Sequence, residues 1–397
     1  MAKLIDITGK ALSGEWGTDD ETGNGIPVLR TTNFTNEGIV NFDNVVTRTI
    51  TKKNIEDKYL RFGDIILEKS GGSDKQPVGR VVYYDGPENK YLFNNFTGLL
   101  RVKNTDQWWP RYVFYSLYAN YRKGGTRVYE NKTTGLHNLK TDVYVSRYEV
   151  ADVTYDRQKQ ICENLDKTAG IIRLRQQELK GLDELIKARF VEMFGDMLIN
   201  PMAWKELQLD SLADIVSGIT KGRKVKNNEL FEVPYMAVSN VKDGYIDWST
   251  VKTIMATHTE IDQYRLMPGD LLMTEGGDPD KLGRGAIIYE PPKDCIHQNH
   301  IFRVRLKQEE ILSVFMAQYL QHQRAKRYFL GCAKQTTGIA SINMKQLKAL
   351  PVLVPPMRLQ KEYVNFVSQV DKSKSAVQKA LDETQILFDS LMQEYFG

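Results

Sequence analysis

The chain has 397 residues, 41% hydrophobic and 26% charged, with 54 Lys and Arg against 50 Asp and Glu for a formal net charge of +4. That balance belongs to a globular protein of two or three domains and excludes wholesale disorder. No apolar run approaches the roughly 18 residues of a membrane span. The opening Met1-Ala2-Lys3-Leu4-Ile5-Asp6 lacks the apolar stretch of a secretory signal, and three cysteines (Cys162, Cys295, Cys332) cannot build a disulfide framework, so a reducing cytoplasm is expected.

In chain order, residues 1–153 are short runs of Val, Ile, Tyr, Phe and Thr cut by Gly, Asn and Asp, the pattern of strands and turns. Gly79–Tyr84 reads as one strand, and a helix is predicted near Arg111–Tyr121. Residues 154–196 read as one long helix. Leu165, Ile172, Leu179, Ile186 and Met193 recur every seven residues, which is the spacing of a coiled-coil seam. Asp156 is its predicted start and Gly195 its stop. Residues 197–353 return to the first pattern, with a strand at Ile301–Leu306 and a helix predicted near Ile311–Tyr328. Residues 354–397 form a second long helix, entered through Pro355-Pro356 and closed by Gly397, with a seam of Val367, Val370, Val377, Leu381, Phe388, Leu391 and Tyr395. Arg175, Arg189, Lys374 and Thr384 interrupt the two apolar seams.

The chain is one plan written twice. Ile26-Pro27-Val28 through Asn33 matches Val233-Pro234-Tyr235 through Asn240. Phe62-Gly63-Asp64-Ile65-Ile66-Leu67 matches Pro268-Gly269-Asp270-Leu271-Leu272-Met273. Gly71-Gly72 and Gly79-Arg80 match Gly276-Gly277 and Gly283-Arg284. Thr133-Thr134-Gly135-Leu136 matches Thr336-Thr337-Gly338-Ile339, and Gln158-Lys159 matches Gln360-Lys361. The offset drifts only from 207 residues (Pro27 to Pro234) to 202 (Phe194 to Phe396). The predicted fold class is therefore α+β: two similar, mostly antiparallel domains separated by two long antiparallel coiled-coil helices, in a pseudo-two-fold internal repeat. A helix of roughly 38 residues spans about 57 Å at 1.5 Å per residue. Against a duplex rise of about 3.4 Å per base pair, heads that far apart suit two short sequences roughly 15 base pairs apart.

Catalytic and metal sites find little support. Asp64, Glu68 and Lys69 suggest a nuclease carboxylate set, but Glu68 and Lys69 are adjacent and point to opposite faces of a strand, and the second copy has Met273-Thr274-Glu275 there. No phosphate-binding or dinucleotide glycine loop is present. Cys295, His297 and His300 look like a metal cluster, yet their counterparts in the first copy, Tyr91, Phe93 and Phe96, cannot ligate zinc. Core packing or a polar surface is the reading for these three.

Cationic loops remain. Lys221, Arg223, Lys224 and Lys226 form one compact turn. Arg122, Lys123 and Arg127 precede the first Thr-Thr-Gly turn, as Arg324, Lys326 and Arg327 precede the second, with Lys132 and Lys334 nearby in sequence and Arg80 and Arg284 at the matched Gly-Arg positions. Such loops neutralise phosphates and release counterions. Side chains able to read base edges are interleaved with them: Ser70, Ser73, Lys75, Gln76, His137 and Asn138 in the first copy, and Asp278, Lys281, Gln335 and Ser341 in the second. Double-stranded DNA is the expected partner. Other readings are a specificity module of a different modification system, a stand-alone DNA-binding regulator, a duplicated nuclease, or a double-headed protein-binding scaffold.

The duplicated plan, Pro-Gly-Asp-Leu-Leu-Met (268–273) with its Gly-Gly turn, Thr-Thr-Gly-Ile (336–339), and Leu-Pro-Val-Leu-Val-Pro-Pro (350–356) leading to Gln360 resemble the specificity (S) subunits of type I restriction-modification systems over nearly the whole chain. The first copy departs from that pattern in lacking Pro-Pro before its helix. The resemblance implies target-recognition domains at 1–153 and 197–353, and conserved-region helices at 154–196 and 354–397. It implies a non-catalytic subunit, with no cofactor in this chain and no membrane. Two modification subunits would carry S-adenosylmethionine and methylate adenine, and restriction subunits would use ATP and Mg. The exposed faces of the helices are the expected docking surface.

Overall fold

The computed structural model describes residues 1–133, 136–224, 229–278, 282–336 and 339–397. By packing, the chain forms two compact units: Met1–Gln176 with Lys379–Gly397, and Gln177–Gln378. Each unit thus joins one head to the neighbouring portions of both long helices, a grouping that cuts across the element boundaries suggested by the sequence.

In the first unit a four-stranded antiparallel sheet has the order Leu12–Ser13, Thr97–Leu100, Ile65–Glu68, Val81–Tyr83. The second unit has the same sheet as Ala213–Ser217, Ile301–Leu306, Leu271–Thr274, Gly285–Ile287. Beside each lies a small sheet made of a hairpin and the strand that follows the central one. This is Glu130–Thr133, Leu136–Leu139 and Ser70–Gly72 in the first head, and Lys334–Thr336, Ile339–Ser341 and Gly276–Gly277 in the second. A further sheet in each head contains one parallel pair, Val28 with Leu92 and Tyr235 with Ile296. The mixed, mostly antiparallel α+β class is as expected.

The predicted head helices differ from one another. The first runs unbroken from Pro110 to Arg122, with proline at a helix start, where its missing N–H costs nothing. The second is cut in two, Ser313–Gln321 and Gln323–Cys332. His322 adopts an extended backbone, and its side chain accepts from Arg324 N to cap the second piece. A continuous apolar pattern in sequence hid that break.

The long helices span Tyr155–Phe194 and Met357–Phe396, 40 residues each, or about 60 Å. The first starts one residue before the expected Asp156, with Thr154 Oγ1 accepting from Arg157 N, and Gly195 closes it at φ +74°. Within each unit the two helices pair antiparallel. In the first unit Ile161, Cys162, Leu165, Ile172, Phe388 and Met392 join the core of the head. In the second, Phe190, Phe194, Tyr363 and Val367 do so. Each such large side chain contributes about 1.5–3 kcal/mol by leaving water. The seam interruptions answer one another: Arg175 donates to Thr384 Oγ1 and Ala380 O, Lys374 pairs with Asp183 at 2.6 Å, and Arg189 with Glu362 at 3.2 Å. Among the described residues no helix is long and apolar enough to cross a membrane.

The repeat extends to individual hydrogen bonds. Gln158 Oε1 accepts from Trp109 N at 2.8 Å, and its amide donates to Gln107 O and Val153 O. Gln360 Oε1 accepts from Leu312 N at 2.9 Å, and its amide donates to Glu310 O and Pro355 O. Both glutamines are buried, and each locks the start of a long helix to its head. Asn33 and Asn240 likewise brace equivalent 3-10 turns, each accepting from the backbone N–H three residues before it.

Candidate nucleic-acid interface

In both heads the Gly-Asp motif builds a rigid support rather than a reaction centre. Gly63 and Gly269 sit at φ +91° and +90°, which glycine adopts without penalty. The turn they make buries Asp64 and Asp270. Arg101 clamps Asp64 with two bonds of 2.7 Å, and Arg305 clamps Asp270 at 2.7 and 2.8 Å. Glu68, the other acid of the suspected nuclease set, is buried against Arg80; desolvation raises its pKa, and Arg80 opposes the shift. Each carboxylate is occupied by a guanidinium, so Asp64 and Glu68 belong to the frame.

Cys295 and His297 are core residues, as their aromatic counterparts suggested. Burial pushes the Cys295 thiol up to about 12 and the His297 imidazole down to about 4, so neither carries charge at neutral pH. His300 stands apart, more than half exposed, with Nδ1 at 2.5 Å from Glu275 Oε2.

The central strand of each main sheet continues into the small sheet, and this junction sets the functional surface. Lys69 N donates to Phe96 O and Lys69 O accepts from Leu139 N. In the second head Glu275 N donates to His300 O, and Glu275 O accepts from Ile342 N. These paired bonds equate Lys69 with Glu275, Phe96 with His300, and Asn138 with Ser341. Cross-strand register adds Asn131 opposite Asn138, and Lys334 opposite Ser341. Directly opposed residues share a face, so Asn131 lies beside Asn138 in the first head and Lys334 beside Ser341 in the second, while Lys69 Nζ donates to Ser13 Oγ at 3.0 Å.

The structure brings several of the predicted residues together there. Ser73 and Gln76 close a turn through Ser73 Oγ and backbone bonds, and the exposed Lys75 lies on it. Arg127 reaches Asp74 O and Lys75 O at 3.4 Å, and His137, buried, lies 3.0 Å from Glu130 and 3.6 Å from Asp74. Ser70, Ser73, Lys75, Gln76, Arg127, His137 and Asn138 are thus one neighbourhood. In the second head Ser341 lies between Gly276 and the exposed Lys334, and the exposed Asp278 follows Gly276-Gly277.

Other expected phosphate contacts are engaged within the fold. Arg80 donates to Phe34 O, Thr31 O and Glu68. Arg122 pairs with Asp389 and Lys123 donates to Phe396 O, so both address the end of the second long helix within their unit. Arg223 forms a two-bond pair with Glu260, and Arg324 donates to Met197 O, Leu198 O and Glu206. Gln76 Nε2 bonds Asn36 and Tyr121. Arg284 is half-buried, with a buried Nε that has no hydrogen-bond partner among the described residues. A guanidinium counts as a cation in sequence whether it meets a carboxylate or water, so the sequence could not separate these cases. Lys221, Lys224 and Arg327 are exposed, and Lys326 is half-exposed. Lys226 and Lys281 lie outside the described residues, as do the side chains of Lys132 and Gln335. The sequence reading weighed Lys69 and Glu275 only as members of a nuclease set, and it did not single out Asn131, Asn299 or the pairing of Lys334 with Ser341. The signal was the reversal of charge between Lys69 and Glu275 inside an otherwise matched motif.

Residues 201–384 match the family model described as type I restriction modification DNA specificity domain. The type I restriction enzyme EcoKI specificity subunit of Escherichia coli (strain K12) is 23% identical over 403 residues, covering 94% of this chain and 82% of that protein. The type I restriction enzyme StySPI specificity subunit of Salmonella potsdam is 24% identical, covering 93% of this chain and 80% of its own length. The crystal structure of the S subunit of a type I restriction-modification system from M. genitalium shares the fold, with a TM-score of 0.57 at 15% identity over 100% of this chain and 95% of that one. A duplicated α+β head carried on long helices, with a DNA-specificity domain in it, defines the class. Over most of its length the chain is similar to the specificity subunits of type I restriction enzymes, and residues 201–384 carry the match to their DNA specificity domain.

Proposed function

We propose that this chain reads a bipartite, asymmetric DNA site, one half per head, for a complex whose other subunits perform the chemistry. One observation carries the reading: a frame duplicated down to single hydrogen bonds presents unlike side chains at equivalent surface positions. A frame repeated with a changed face is what two different half-sites require. The chain itself is non-catalytic and works in the cytoplasm. Two modification subunits supply S-adenosylmethionine and methylate adenine, and restriction subunits supply ATP- and Mg-dependent cleavage. Exposed Leu174 and Ile386, at 66% and 68%, put large apolar side chains on the outer faces of the helices, where partner subunits would cover them.

The first test is a methylome of the host with and without the gene, read by single-molecule sequencing. Loss of one bipartite adenine-methylated motif is expected; an unchanged methylome in an expressing host counts against the reading. Lys224→Ala should weaken the complex on all sequences and lower the slope of log affinity against log salt by about 1, as one lost phosphate contact does. A changed base preference would move Lys224 from phosphate to base. Seven residues added to both long helices should lengthen the non-specific spacer by about 3 base pairs, and an unchanged spacer rejects the helices as its ruler.

A further inference from the structure

We propose that Glu275 is a specificity-determining residue of the second head, accepting a hydrogen bond from the exocyclic amino group of a cytosine or adenine. This rests on the DNA-reading function above and assigns one residue within it. Glu275, Gly276, His300, Ser341 and Val238 line an open concavity of about 360 Å³ at the junction of the main and small sheets. It is large enough to admit the edge of a base.

A carboxylate on a surface that meets phosphates is unfavourable unless it finds a donor. In the major groove only the amino groups of cytosine and adenine donate, while guanine N7 and O6 and thymine O4 accept. Glu275 therefore rewards two bases and repels the others, and the repulsion sharpens choice as much as the bond does. His300 Nδ1 holds one carboxylate oxygen, Oε2, and Asn299 Nδ2 lies 3.3 Å from His300 Nε2. The carboxylate is thereby positioned before DNA arrives, with its other oxygen supplying acceptor capacity. Lys334, opposite Ser341 on the same sheet face, is placed to hold a phosphate beside it. In the first head the same positions carry Lys69, whose Nζ donates to Ser13 Oγ, together with Phe96, Asn131 and Asn138, a set without a carboxylate and so suited to different bases.

The experiment uses the full chain assembled with its modification subunits and a panel of duplexes carrying every single-base change in both halves of the motif. Glu275→Gln keeps the shape, and Glu275→Ala removes the group; thermal melting confirms that each variant is folded. Both should relax discrimination at one position of one half-site by about tenfold or more, with the other half unaffected. Asn138→Ala should relax the other half. The wild-type preference at that position identifies cytosine or adenine. Unchanged discrimination, a uniform loss across all duplexes, or relaxation of the same half by Glu275 and Asn138 variants overturns the assignment. A wild-type complex with no bipartite preference fails the underlying reading instead, and is told apart by that control.

Discussion

The two heads share a skeleton and differ in what fills it. Asp64–Arg101 and Asp270–Arg305 are the same buried clamp, whereas Phe93 and His297, at equivalent strand positions, differ in kind. Lys69 and Glu275, both half-buried, differ in sign at the junction of the sheets. Buried bonds that fix the chain path cannot vary without loss of the frame. A buried position that only fills space tolerates any side chain of fitting volume, and an exposed one is constrained by what it meets.

The sharpest way to break this comparison is to remove a clamp. Asp64→Ala or Asp270→Ala removes a buried carboxylate and leaves the half-buried Arg101 or Arg305 with only its backbone carbonyl partners, at a cost of about 1.5–3 kcal/mol. Hydrogen exchange should rise in the four-stranded sheet of the altered head, and equally for the two variants. A much smaller effect in one head would show that the clamps are not equivalent.

The next effect is confined to the second head. His297 Nδ1 lies 3.1 Å from Ile301 O, while its buried Nε2 has no partner among the described residues. Burial, reinforced by Arg303, lowers its pKa from 6.5 to about 4. The unfolded chain therefore binds the proton more readily than the folded one. Stability from this residue is full above about pH 6.5 and falls as pH drops toward 4, by about 3 kcal/mol in total. Exchange protection across Ile301–Leu306 should fall with acid more steeply than across Thr97–Leu100, where Phe93 does not titrate. His297→Phe should abolish the difference between the heads.

A smaller test concerns the long helices. Tyr363 is fully buried, and its hydroxyl has no hydrogen-bond partner among the described residues; the equivalent position on the first helix is the apolar Ile161. Tyr363→Phe should raise stability by about 1 kcal/mol, because a buried unsatisfied hydroxyl costs more than it contributes. Destabilisation in a denaturant titration would mean that the hydroxyl has a partner in solution.

Much of this was legible in the residues. Two matched sets of Gly-Asp, Gly-Gly and Gln motifs announced the duplication. The seven-residue spacing from Leu165 to Met193 announced the helix and its seam, and aromatic counterparts pointed to Cys295 and His297 as core residues. The site was less legible. Arg80, Arg122, Arg223 and Arg324 look alike in sequence to Lys224, yet each is tied inside the fold while Lys224 is exposed. The seam residues Phe190, Phe194 and Met392 were missed because a helix packing on both a partner helix and a head buries a wider stripe than a heptad marks.

The sequence by itself determined the repeat, the α+β class and the long helices, because periodicity and turn chemistry are local and survive without coordinates. Only the tertiary structure decided which cations are committed to carboxylates and carbonyls, that Lys374 and Asp183 or Arg175 and Thr384 answer each other across the seam, and that Glu275 and His300 share one concavity. Those are pairings between residues far apart in the chain, set by how strands and helices pack, and no local pattern encodes them.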